Sequence, residues 1–291
     1  MRRGDAMMTQ TAQAPKLADD KFRTIRDLIY EKSGMYFGDG KKYLMESRLA
    51  RRLVARGLKT YDEYYYFLKY DPKRAEEINR LFDEVTINET SFFRNPPQLE
   101  AFGKKILPGI VADKEKSGAR NLRIWSAGCS SGEEPYTLGI YILEALKFSL
   151  PKWKVEIHAS DLSKEILQKA KNGVYGDNAL RNTAPSYRSR YFVQVNGMYA
   201  IRDEVKKLVR FQQINLTDKV KMRSMRGMDV IFCRNVLIYF DMESKRQVIA
   251  HFYDNLNPGG YLFIGHSESL HGVSKAFKLV HFPKAMVYQK A

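Results

Sequence analysis

The sequence predicts an α/β fold with a largely parallel sheet, preceded by a small all-α domain. Three observations carry that reading. From about residue 121 onward, short apolar runs alternate with helical stretches, which is how a parallel sheet appears in sequence. Up to Phe82 apolar residues recur at helical spacing, with no strand pattern. Between the first strand and first helix of the second half lies the turn Gly128-Cys-Ser-Ser-Gly132, whose glycines let backbone approach a ligand where a Cβ would collide.

That turn sets the expected chemistry. Leu122-Arg-Ile-Trp125 reads as a buried strand, and Glu133-Glu134-Pro135 opens a helix through Leu143. Strand, glycine turn and helix hold a nucleotide-like ligand at the carboxyl edge of a sheet. The spacing is Gly-x-x-x-Gly, not the Gly-x-Gly-x-x-Gly of a dinucleotide binder. Two carboxylates at the helix start would repel a pyrophosphate but suit a ligand carrying a cationic amine, as S-adenosylmethionine (SAM) does. A plain turn in any α/β fold is the competing reading.

The chain has 291 residues, 44% of them hydrophobic, and a formal net charge of +16. No apolar run approaches the roughly 18 residues of a membrane span. The charge calls for an acidic partner: nucleic acid, an anionic membrane surface or an acidic protein. The two cysteines, Cys129 and Cys233, suggest neither a disulfide framework nor a zinc site, and no metal is expected. They read as small buried hydrophobes in a reduced, cytoplasmic setting. The first residues lack the apolar core of a signal peptide.

In chain order, residues 1–17 read as a disordered tail and residues 18–87 as the helical domain. Its first helix carries Phe22, Ile25, Leu28 and Ile29 on one face, stopped by Ser33-Gly34. The second, from about Lys41 to Gly57, has an apolar stripe of Leu44, Met45, Leu49 and Leu53. Arg48, Arg52 and Arg56 form a basic stripe with Arg51 beside it, and Glu46 is the only acid between residues 41 and 59. Such a run is either a solvated face or a docking face. Thr60-Tyr-Asp-Glu63 is a capping box opening a third helix, and Asp71-Pro72 starts a fourth.

Residues 88–110 read as a linker and a helix, the linker being Asn88-Glu-Thr-Ser-Phe-Phe-Arg94. Its polar residues either line a ligand site at a domain junction or sit on a segment pinned by Phe92 and Phe93. Within residues 111–291 the strand candidates are 123–126, 155–159, 208–213, 229–233, 261–265 and 285–288. Asp161 closes the second, where a carboxylate can accept both ribose hydroxyls of an adenosine. Residues 192–201 alternate about Asn196-Gly197, a hairpin signal, within an insertion spanning about 180–206.

Assembled, the chain resembles the chemotaxis receptor methyltransferase (CheR) family from about residue 20 to 290. The resemblance rests on Asn-x-Thr-x-Phe-Phe-Arg at 88–94, Trp-Ser-Ala-x-x-Ser-x-Gly-Glu-Glu-Pro-Tyr at 125–136, Ala-Ser-Asp at 159–161, Phe-Cys-Arg-Asn-Val-x-Ile-Tyr-Phe-Asp at 232–241 and Gly-His-Ser-Glu at 265–268. It implies a class I SAM-dependent methyltransferase (Rossmann-like) sheet with an inserted β-hairpin subdomain. It also implies cofactor contacts at Asn88, Thr90, Arg94, Glu134, Asp161, Asn215, Leu216, Arg234 and Asn235, with Tyr239 near the transferring methyl. Arg94 either orients the incoming carboxylate or holds the cofactor.

The activity implied is methylation of glutamate side chains on a chemoreceptor's cytoplasmic coiled coil, with S-adenosylhomocysteine as by-product. The partners implied are acidic receptor helices, which gives Arg48, Arg51, Arg52 and Arg56 a substrate to bind. The enzyme is expected to be a cytoplasmic monomer recruited to membrane receptor arrays, without membrane insertion or nucleic-acid binding. Some family members hold a receptor's C-terminal peptide on the hairpin; the tight turn at Asn196-Gly197 predicts independence from such a tether. Two other readings compete: a nucleic-acid methyltransferase and a non-enzymatic regulatory scaffold. No Asn/Asp-Pro-Pro-Tyr/Phe block favours the first, and Arg94, Glu134 and Asp161 are all present against the second.

Overall fold

The computed structural model describes residues 15–291; the tail expected over residues 1–17 lies outside the described residues as far as residue 14. Leu17 is buried, and its N–H donates to Glu46 Oε1 at 2.6 Å. Two compact units form. One comprises the described chain up to Leu28 with Phe37–Val85, the other Ile29–Tyr36 with Thr86–Ala291.

The first unit holds α1 (Asp19–Ser33) as far as Leu28, α2 (Lys42–Arg56), α3 (Tyr61–Tyr70) and α4 (Arg74–Val85). Met45, Leu49 and Leu53 are buried along α2, as their spacing predicts. The capping box forms: Thr60 Oγ1 accepts the Glu63 N–H at 3.2 Å, and the Glu63 carboxylate accepts the Thr60 N–H at 3.1 Å.

The basic stripe on α2 departs from the local reading, because α4 brings acids to it. Arg52 grips Glu77 through two bonds, Nε to Oε1 at 2.9 Å and Nη2 to Oε2 at 2.8 Å. Arg56 Nε bonds the same carboxylate, and the Tyr64 hydroxyl donates to it at 2.8 Å. Glu77 is fully buried, while the Arg52 and Arg56 side chains are only 13% and 20% exposed. Burial alone would raise the Glu77 pKa, but the donors from Arg52, Arg56 and Tyr64 outweigh it and hold the pKa below the usual value. Arg48 donates to the Val85 carbonyl. Arg51, with 55% of its side chain exposed, pairs with Glu84 at 2.7 Å. These arginines therefore tie α2 to α4, and a run with almost no acid near it in sequence is opposed in the fold.

The second unit opens with α5 (Pro96–Ala101), which continues through a π-helical stretch, Phe102–Ile106, into α6 (Leu107–Lys116). Then follow β1 (Asn121–Ala127), α7 (Glu133–Leu146), β2 (Lys154–Asp161), α8 (Lys164–Asn172), β3 (Val174–Tyr175), α9 (Pro185–Tyr191), β4 (Phe192–Val195), β5 (Met198–Ile201) and α10 (Asp203–Lys206). The chain ends with β6 (Val209–Gln213), α11 (Lys219–Arg223), β7 (Met228–Cys233), α12 (Met242–Asn255), β8 (Leu256–Ile264), β9 (Phe277–Phe282) and β10 (Ala285–Lys290). Seven strands form one sheet in the order β6-β2-β1-β7-β8-β10-β9. Every pairing is parallel except those of β10 with β8 and β9. Apolar residues fill both faces of its centre: β7 is buried throughout, and Phe232 stacks on Phe263 at 4.2 Å.

All six predicted strands form. The hairpin pairs Val195 with Met198 about Asn196 and Gly197, both at positive φ, and gains β3 as a third strand. β9 is new, because none of its residues is fully buried and Lys278 and His281 interrupt its apolar residues. Asn257-Pro-Gly-Gly260 forms a bulge inside β8, where the register with β7 slips. Among the described residues, no helix is long and apolar enough to cross a membrane.

Candidate active site

The parallel strands β1, β2, β6 and β7 end along one edge of the sheet, where a cavity of about 300 Å³ opens. Asn88, Thr90, Arg94, Glu134, Asp161, Asn215, Leu216, Arg234, Asn235 and Tyr239 all line it, bringing together residues from sequence blocks far apart. The α2 arginines do not line it, and among the described residues no histidine does.

The turn after β1 is shaped by its glycines. Gly128 sits at φ 76°, and a Cβ there would lie 2.4 Å from a Val236 methyl. The Gly128 and Cys129 N–H groups both donate to the Ser160 carbonyl, at 2.8 and 2.9 Å. That frees the next N–H, of Ser130, to reach Asp161 Oδ2 at 2.8 Å, while the Ser163 N–H takes Oδ1 at 3.0 Å. Asp161 is thus fixed at the β2 tip by two backbone donors, with its carboxylate at the cavity wall. The Ser130 hydroxyl donates to the Asn88 carbonyl at 2.9 Å, pinning the linker to the turn.

Of the two carboxylates at the start of α7, only Glu134 faces the cavity. Glu133 turns inward, accepts the Ser131 hydroxyl at 2.7 Å, and has its pKa pushed up by burial. A helix face cannot present consecutive residues to one ligand. Glu134 accepts the Ser126 hydroxyl at 2.7 Å and the Arg234 guanidinium at 3.2 Å.

Arg234 is the hub of the wall, with a side chain only 4% exposed. It donates to Gln98 Oε1 at 2.9 Å and to the Arg94 carbonyl at 2.8 Å as well as to Glu134. Burial pulls its pKa down and Glu134 opposes that. The Arg94 guanidinium meanwhile donates to the Glu89 carbonyl at 2.8 Å.

Several contributors escape a reading of the sequence. Gln98 braces Arg234 and donates to the Ile264 carbonyl at 2.8 Å. Glu268 accepts the N–H groups of Gly265 at 2.5 Å, Asn235 at 3.0 Å and Ile238 at 3.1 Å, and so fixes the loop carrying Asn235 and Tyr239. Glu268 stands in the Gly-His-Ser-Glu block, which is its signal in the sequence; Gln98 leaves none. Burial pushes both cysteine thiols well above their usual pKa, with Asp161 and Glu134 adding to it at Cys129.

The donor set fits SAM. Asp161 and Glu134 offer acceptors for a diol and an ammonium group, and Leu99, Ile214 and Leu216 supply apolar wall. The strand order, with one antiparallel strand inserted beside the edge, and this cavity at the carboxyl edge define a class I SAM-dependent methyltransferase.

Comparison with known proteins gives the family. The chain belongs to the CheR methyltransferases: the all-alpha domain of that family matches residues 20–86 and its SAM binding domain matches residues 88–286. It is 38% identical over 275 residues to chemotaxis protein methyltransferase 2 of Vibrio cholerae serotype O1, covering 94% of each chain. It is 34% identical over 257 residues to the chemotaxis protein methyltransferase of Borreliella burgdorferi, covering 88% of this chain and 90% of that one. It is 35% identical over 276 residues to chemotaxis protein methyltransferase 1 of Pseudomonas aeruginosa, covering 94% and 98%. The chain is a SAM-dependent methyltransferase.

Proposed function

We propose that this enzyme methylates glutamate side chains on the cytoplasmic coiled coil of chemoreceptors, forming methyl esters and S-adenosylhomocysteine. One observation supports the acceptor most directly: no described histidine lines the cavity, and each of its three lining carboxylates has a partner, Asp161 in backbone N–H groups, Glu134 in Arg234 and the exposed Glu89 in Arg181. Asp161 is held by two N–H groups and Glu134 by Ser126 and Arg234, an arrangement that suits both to gripping a cofactor. A glutamate acceptor, with an ordinary pKa of about 4.3, is ionised at neutral pH and needs no base. A lysine amine, protonated at neutral pH, would first have to lose a proton.

Bound in the cavity, SAM supplies a methyl group on a sulfonium, open to displacement by an oxygen nucleophile. In this reading Asp161 takes the ribose hydroxyls, Glu134 faces the methionine portion, and Asn215 and Leu216 flank the adenine. Asn88, Thr90, Arg234 and Asn235 complete the grip, and Tyr239 lies by the methyl. Arg94 orients the incoming carboxylate. Most of the rate then comes from alignment and from loss of the carboxylate's water. The enzyme works in the cytoplasm beside receptor arrays, and the tight hairpin leaves it independent of a receptor tail.

The test is transfer from methyl-labelled SAM to purified receptors, followed by alkali. Volatile label released as methanol is the expected result. Label that survives alkali would rule out an ester.

A further inference from the structure

The mouth of the cavity carries an ion pair outside the cofactor grip. Glu89 lines the cavity from the linker, and its carboxylate lies 3.6 Å from Arg181 Nη2 of the inserted subdomain. The Glu89 side chain is 78% exposed and that of Arg181 is 38% exposed. Two apolar lining residues, Ile87 and Ile238, are also exposed, at 49% and 54%. Exposed apolar side chains around a charged opening suit a polypeptide better than a small acid.

Both partners are fastened through their backbones. The Arg94 guanidinium donates to the Glu89 carbonyl, and the Ser130 hydroxyl to the carbonyl before it. The Phe92 N–H donates to the Ala179 carbonyl at 2.9 Å, and Asn182 Nδ2 to Ser91 Oγ at 3.2 Å, which stitches residues 179–182 to the linker. Arg181 follows the short helix Asp177–Leu180 and lies ahead of the hairpin strands β4 and β5. Its Nη1 donates to the Asn178 carbonyl at 2.9 Å and to Asn178 Oδ1 at 3.3 Å. One guanidinium nitrogen is therefore held from behind, and the other, Nη2, is turned to Glu89.

The part left free to move is the Glu89 side chain, and an exposed ion pair at this separation is weak. A guanidinium fixed in advance is well suited to take a carboxylate from a partner. We propose that Arg181 is a specificity-determining residue for acidic polypeptide acceptors: it receives a carboxylate of the incoming segment, and Glu89 occupies that place until the segment arrives. The exchange leaves the charge at the mouth balanced, because one carboxylate replaces another on the same guanidinium. The reacting carboxylate itself passes to Arg94, and Arg181 takes an acid beside it. The inference rests on a glutamate-bearing protein being the acceptor, and the experiment keeps the two apart.

Transfer from methyl-labelled SAM to purified receptors is measured for the full chain, for Arg181→Glu, for Glu89→Gln, and for Arg181→Ala with and without Glu89→Gln. Thermal melting and titration with S-adenosylhomocysteine accompany each. Arg181→Glu should raise the receptor KM about ten-fold with kcat within about two-fold, since a contact kept equally in ground and transition states acts on KM alone. Its affinity for S-adenosylhomocysteine should match the parent's. Glu89→Gln should act in the opposite direction and lower the receptor KM about two-fold, because the internal competitor is gone. In the Arg181→Ala background that gain should vanish, which is the signature of direct coupling. An unchanged receptor KM in Arg181→Glu would overturn the proposal, as would a raised KM in Glu89→Gln or a gain that persists without Arg181. If Arg181→Glu fails to fold, Glu89→Gln and its Arg181→Ala background decide. A parent chain whose transferred label survives alkali would instead defeat the glutamate acceptor itself.

Discussion

Arg52 and Arg56 meet Glu77 in the helical unit, and Arg234 meets Glu134 in the α/β unit; both are buried arginine–carboxylate clusters, put to different uses. In the first, two guanidinium groups and Tyr64 converge on one carboxylate, and the cluster closes on itself. In the second, one guanidinium fans out to Glu134, Gln98 and the Arg94 carbonyl, and its partners keep faces on a cavity. A closed cluster fixes one helix against another. An open one shapes a wall that a ligand can touch. The lesson is that a buried ion pair marks a site only when its partners still have an unsatisfied direction to offer.

Breaking each cluster should therefore give different symptoms. Arg234→Ala should show the largest effect: loss of about 3 kcal/mol of stability in the α/β unit, as expected when one partner of a buried pair is removed, together with loss of cofactor binding. Urea denaturation and calorimetry on the same sample would show whether both fall. Glu77→Gln should cost the helical unit about as much or slightly less, since the amide still accepts from the arginines, and far-UV melting would read it.

The pH dependence sharpens the contrast. The Glu77 pKa is held below its usual value, so its contribution is fully present above about 4.5 and is lost as pH falls through the lower folded value. The stability gap between the parent and Glu77→Gln should accordingly be constant near neutrality and close in acid. A gap that widened as pH fell would contradict the pairing. Smallest of all, Arg51→Glu should raise the receptor KM by about two- to five-fold with SAM affinity unchanged, because Arg51 is the most exposed of the four α2 arginines. An unchanged receptor KM would remove α2 from substrate recognition.

Much of this molecule is legible in its sequence alone. The six strands, the hairpin at Asn196-Gly197 and the carboxylate at the β2 tip follow from short-range patterns: apolar runs, a turn dipeptide, a strand ending in Asp161. What is not legible shares one cause. Glu77 reaches Arg52 and Arg56 across more than twenty residues, Gln98 reaches Arg234 across 136, and Lys32 reaches Asn215 across 183. A window along the chain sees the charge of α2 but not the acid that folding brings to it. It sees two acids at the start of α7 but not that consecutive helical positions face different ways. The exposed strand β9 is hidden for a simpler reason, since it has too few buried residues to leave a period.

The central claim is that the Asp161 carboxylate, fixed at the sheet's edge, grips the cofactor's ribose. Calorimetric titration of S-adenosylhomocysteine into the full chain and into Asp161→Ala tests it most directly. A loss of about a hundred-fold or more in affinity, as two charge-assisted hydrogen bonds vanish, is the predicted result. Equal affinity in a folded variant would contradict it.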